Sequence, residues 1–127
     1  MQTAQQWVLP KQPTSAASAR RRLEAASLEL PGELFDTALL LTSELVTNAV
    51  KYGGDYIVLT VRDEPDTVTV EVYDDGPRAP HVRAGARQAE GGRGLRLVDA
   101  LAHEWGTVHA TSPRAGKSVW FTLLKLS

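Results

Sequence analysis

Between Pro31 and the pair Gly53-Gly54 the chain carries twenty-odd residues with helical character and apolar groups almost all round. Leu34, Phe35, Ala38, Leu39, Leu40, Leu41, Leu45, Val46, Ala49 and Val50 leave hardly a polar face. A helix of that kind is expected to lie inside the domain, with the rest of the fold built around it. Pro31 suits its first turn, where the missing N–H costs nothing. Glu33 suits the positive end of its dipole, and the two glycines stop it after about Lys51. One central helix in 127 residues implies one domain, 1–127. The apolar share of 43% is enough for a single core.

Strands and further helices surround it. Residues 5–9 read as a short strand stopped by Pro10. Ala16 to Leu30 reads as a helix with Ala19, Leu23, Ala26 and Leu30 on one stripe. Residues 56–62 and 67–73 alternate on either side of Glu64-Pro65-Asp66, the pattern of a β-hairpin with one buried face. Asp74 to Gly92 holds two prolines and four glycines and reads as a long loop, a length usually kept for function. A helix opens near Arg93, and 104–110 with 118–125 form a second strand pair around Pro113–Gly116. The order β α α β β loop α β β lacks regular βαβ alternation. It predicts an α+β fold, a two-layer sandwich with a mixed, mostly antiparallel sheet covered on one face by helices.

Composition removes several functions. Fourteen basic residues against fifteen acidic argue against general affinity for nucleic acid or an anionic membrane. With no cysteine, thiolate chemistry and disulfides are excluded, and the chain fits a cytoplasmic setting. No run reaches the ~18 apolar residues of a membrane span, and no signal-peptide pattern opens the chain. His81, His103 and His109 have no metal-ligand spacing and read as loop or surface residues. Trp7, Trp105 and Trp120 read as core, and Arg20–Arg22 as a solvated helix face or an acidic-partner patch.

Three features can carry chemistry. Glu44, Asn48 and Lys51 interrupt the apolar helix on one stripe. They form either a solvated stripe near the helix end or a face turned to a polar ligand. A carboxylate there can act as a base, an amide oxygen can hold Mg²⁺, and a lysine can neutralise phosphate. Asp74-Asp75-Gly76-Pro77 follows the hairpin. It is turn chemistry, or a strand-end carboxylate aimed at an exocyclic amine, with Gly76 allowing close approach. Gly91-Gly92-Arg93-Gly94-Leu95 enters a helix, a plain helix start or a phosphate cradle. A dinucleotide fingerprint fails because Leu97 stands where glycine is needed. Gly116-Lys117-Ser118 fails as a P-loop because Thr111 replaces glycine and a strand follows.

The order of these motifs resembles the GHKL (Bergerat-type) ATP-binding fold of histidine kinase catalytic domains, type II topoisomerases and anti-sigma-factor serine kinases. The likeness spans nearly the whole chain. Thr42 to Val50, the small size and Gly116 to Phe121 are similar to the stand-alone anti-sigma kinases above all. The resemblance implies ATP and Mg²⁺ as cofactors, with Asn48 on the metal and Glu44 as general base toward a partner's serine. It implies that Asp74 takes the adenine amine, with Gly76 beside the base. Lys51, Gly92, Arg93, Gly94 and Leu95 would border the nucleotide, and Ser118 would support adenine through Asp74 and a water. A flexible lid would span about 77–91. The implied partners are a small anti-sigma-factor antagonist, a sigma factor and a second copy of the chain, paired through the N-terminal strand and helix. Lys51 stands where those kinases commonly have histidine, and Arg78 where a second glycine is expected. A module that binds partners without transferring phosphate is the alternative reading. A histidine kinase fragment, suggested by Lys51-Tyr52, lacks a preceding phospho-accepting helix pair.

Overall fold

The α2 helix, Gly32–Tyr52, is the element against which the others are arranged. The computed structural model describes residues 3–76, 92–109 and 116–125. Ahead of α2 come β1 (Thr3–Leu9) and α1 (Ser15–Ala25). After it come β2 (Ile57–Asp63), β3 (Thr67–Asp74), α3 (Gly92–Leu101), β4 (Glu104–His109) and β5 (Lys117–Leu124). The five strands form one sheet in the order β1-β2-β3-β5-β4, and every pairing is antiparallel. The expected α+β sandwich is therefore present, with an antiparallel sheet rather than a mixed one among the described residues.

Strand alternation divides the side chains between two faces. The inner face carries Leu59, Val61, Val70, Val72, Phe121 and Leu123, all essentially buried. Against them α2 sets Ala38, Leu41, Leu45, Val46 and Ala49, one stripe at helical spacing. Leu23 from α1 and Val98 from α3 complete the core. Two polar ties fix the flanking helices. The Arg20 guanidinium on α1 donates to the Ser43 hydroxyl on α2 at 2.7 Å. The Trp105 indole on β4 donates to the Asp99 carboxylate on α3 at 2.8 Å. Arg22 lies 5.8 Å from the Trp7 ring centre, a cation–π contact that joins α1 to β1. The arginine run is thus only partly a solvated face.

Two expectations need correction. The first helix ends at Ala25 rather than Leu30, because Ser27 takes a left-handed backbone (φ 56°) that no α-helix continues through. Leu28 and Leu30 still pack on the core, from outside the helix. Trp120 is not a core residue: it pairs with Glu71 and Gly106 on the outer face, while Trp7 and Trp105 pack on the inner one. His103 and His109 are exposed, as expected. His81, the proposed lid with Arg78, and the centre of the Pro113–Gly116 turn lie outside the described residues.

Candidate nucleotide site

The C-terminal end of α2 meets the end of β3. Asp74 closes β3 on the inner face and is 2% exposed. A carboxylate so placed needs donors, and it has them. The amides of Gly54 and Gly76 donate to its Oδ1 at 3.0 and 2.9 Å. The Lys117 ammonium, opposite it on β5, donates to Oδ1 at 3.0 Å and to Oδ2 at 2.8 Å. Oδ1 therefore takes three donors among the described residues and Oδ2 only one. A carboxylate offers about four acceptor sites, so Oδ2 keeps room for one more N–H, such as the exocyclic amine of adenine. The residues present fit that base.

The two glycines after α2 belong to this construction. Gly53 is extended (φ −95°, ψ −166°), so a left-handed cap is not the reason for glycine there. A Cβ at Gly53 would stand 2.5 Å from the Asp74 carboxyl carbon and 2.7 Å from both Asp74 Oδ2 and the Ala49 carbonyl. Only glycine lets the helix end come that close to the carboxylate. The turn is tied twice more to the strand end: the Tyr56 amide donates to Asp75 Oδ1 at 2.9 Å, and the Asp75 amide to the Tyr56 carbonyl at 3.2 Å. Replacing Gly53 with alanine is expected to cost about 1–3 kcal/mol and to push Asp74 off its donors. Denaturant unfolding reads the first effect, and weakened binding of an adenine nucleotide the second.

Glu44 and Asn48 lie one turn apart on α2, half-buried at the edge of its buried stripe. The flank they share faces α3. Earlier on the same flank, Glu33 and Thr37 line a cavity with Leu101 and His103 at the end of α3. Ser43, held by Arg20 of α1, marks the opposite flank. Asn48 is engaged by a neighbour, whereas Glu44 has no hydrogen-bond or ion partner among the described residues. Lys51 is exposed at the last turn, beside Gly53. Thus α2 carries the acid and the amide on the flank that faces α3, and Asp74 lies against the C-terminal end of the same helix.

The remaining candidates are distributed differently. Gly92, Arg93 and Gly94 form the first turn of α3. Leu95 is half-buried against the core. Ser118 requires a correction. It pairs with Tyr73 on the outer face and lines an outer cavity of about 430 Å³ with Tyr56, Val58 and Tyr73. The inner-face position opposite Asp74 belongs to Lys117, one residue earlier, because neighbouring strand residues point to opposite sides. Sequence reasoning missed Lys117 as a site residue, and it treated Gly53 and Gly54 only as a helix stop. No cluster of three or more His, Asp or Glu side chains suited to a metal occurs among the described residues. Magnesium at Asn48 would rest on that one amide oxygen, with water and phosphate oxygens as its other ligands.

No helix among the described residues is long and apolar enough to cross a membrane. Curated proteins yield no match to the sequence. The family profile for the histidine kinase-like ATPase domain matches residues 9–123, from the end of β1 to the penultimate residue of β5. Among the described residues, an antiparallel sheet covered by three helices, with a buried carboxylate where the central helix ends, agrees with that match, and the chain belongs to the histidine kinase-like ATPase domain family of ATP-binding proteins.

Proposed function

We propose that the chain is a serine kinase of the anti-sigma type, which moves the γ-phosphoryl group of ATP to a serine of a small antagonist protein and binds a sigma factor as its other partner. The observation that carries this reading is Glu44. A half-buried carboxylate one turn from the amide suited to magnesium, with no partner of its own among the described residues, is free to accept a hydroxyl proton. Asp74 holds the adenine amine through Oδ2. Asn48 holds magnesium, and the first turn of α3 offers to phosphate the amides that have no acceptor within the helix. Phosphoryl transfer demands positioning and charge neutralisation more than covalent help from the protein. The bond from the serine oxygen to the γ-phosphorus forms, the bond to the β,γ-bridging oxygen breaks, and Glu44 takes the serine proton. The exposed edge strand β1 carries no charged side chain, which supports pairing with a second copy.

The test is transfer of label from γ-labelled Mg·ATP to an antagonist protein. Acid-stable phosphoserine is expected. Acid-labile phosphohistidine would move the chain to the histidine kinases. ATP binding and partner capture without any label would make it a nucleotide-gated binding module.

A further inference from the structure

We infer that Lys117 reads the nucleobase together with Asp74, donating to the ring nitrogen beside the exocyclic amine that Asp74 Oδ2 accepts. This rests on the reading of Asp74 as the residue that takes the adenine amine. Lys117 is 6% exposed, and its ammonium has three N–H donors. Its two contacts go to the two oxygens of one carboxylate, at 3.0 and 2.8 Å. A tetrahedral ammonium that grips a carboxylate with two N–H groups directs the third away from it. That third N–H meets no acceptor among the described residues. A buried donor without an acceptor is costly, and a ligand acceptor would satisfy it.

The pair therefore offers an acceptor, Oδ2, beside a donor, the third Lys117 N–H. The Watson–Crick edge of adenine presents the complement, with the N6 amine as donor next to N1 as acceptor; the other edge pairs the amine with N7, so 7-deaza-ATP, which lacks only that nitrogen, is the control expected to bind like ATP. Position also favours a fixed reader over a mobile side chain. Asp74 and Lys117 are register partners on adjacent strands. Gly116 just before Lys117 takes φ +152°, and a Cβ there would meet the Tyr73 hydroxyl at 2.5 Å. Only glycine fits that step, and it sets where Lys117 begins. Ser118, on the other face, takes no part.

The experiment is titration calorimetry of the wild-type chain with Mg·ATP, its 1-deaza analogue, which lacks the N1 acceptor, and purine riboside triphosphate, which lacks the amine. A buried hydrogen bond from a charged donor is worth about tenfold or more in affinity. The 1-deaza analogue is expected to bind at least about tenfold more weakly than ATP. In Lys117→Met that difference is expected to vanish. Equal binding of ATP and the 1-deaza analogue by the wild type, with purine riboside triphosphate weak, overturns the role of Lys117 and leaves that of Asp74. Tighter binding of ATP by Lys117→Met would also overturn it, since the ammonium would then be blocking the base. Purine riboside triphosphate binding as well as ATP, or no nucleotide binding at all, overturns the reading of Asp74 and this inference with it. The wild-type series decides the matter even if Lys117→Met does not fold.

Discussion

Glu44→Ala is expected to lose about 10²- to 10⁴-fold in the rate of phosphoryl transfer to the serine acceptor, with ATP affinity nearly unchanged. The two effects separate because Glu44 lies on the α3-facing flank of α2, a full turn before Asn48 and further still from Gly53, where Asp74 is gripped. Its carboxylate anchors nothing among the described residues, so its removal disturbs neither core nor carboxylate nest. Glu44→Gln keeps the shape and removes the base, and it is expected to lose as much. Single-turnover transfer assays beside calorimetry of ATP binding check both halves. A Glu44→Ala variant that transfers phosphate at the wild-type rate would remove Glu44 as the base, and with it the main support for catalysis.

Asp74→Ala is expected to destabilise the fold by about 3–5 kcal/mol, as well as to abolish adenine binding. The stability cost comes from the partner left behind. Lys117 is almost as buried as Asp74, and the two side chains are 7% and 3% exposed. Without the carboxylate its ammonium sits uncompensated in the sheet–helix interface, and two amides also lose their acceptor. Replacing both members removes the stranded charge, so Asp74→Ala with Lys117→Met is expected to recover most of the stability and none of the binding. Urea unfolding of the two single variants and the double variant, read as a mutant cycle, checks this. A double variant as unstable as Asp74→Ala would mean that the ion pair is not what holds this corner. The cycle has a practical consequence too: loss of ATP binding in Asp74→Ala alone does not separate a missing contact from a weakened fold.

Much of this architecture was legible in the residues. The apolar run from Leu34 to Val50 announced a central helix, and the alternation of 56–62 with 67–73 announced the hairpin, since both periods are written locally. What escaped was set by contacts distant in sequence. Whether Lys117 or Ser118 faces Asp74 depends on the β3–β5 register, and a shift of one residue exchanges the faces. No local pattern fixes that register. Trp120 was misread for the same reason. The early end of α1 was hidden because Ala26 and Leu30 happen to continue the stripe of Ala19 and Leu23, while a single left-handed residue, Ser27, breaks the helix between them. Gly53 showed its ordinary role, ending a helix. Its second role, admitting a carboxylate, needs Asp74, which is twenty-one residues away in the chain.

Titration of ATP into the purified chain, with and without Mg²⁺ and beside Asn48→Ala, bears most directly on the nucleotide site. Asn48 belongs neither to the Asp74–Lys117 pair nor to the apolar core, and urea unfolding of Asn48→Ala beside the titration reads what the loss of its own neighbour contact costs the fold. One ATP per chain is expected, bound tightly only with Mg²⁺, and the magnesium-dependent part should disappear in Asn48→Ala. A folded wild-type chain that takes up no ATP under either condition would contradict the site at the end of α2 and every role assigned around it.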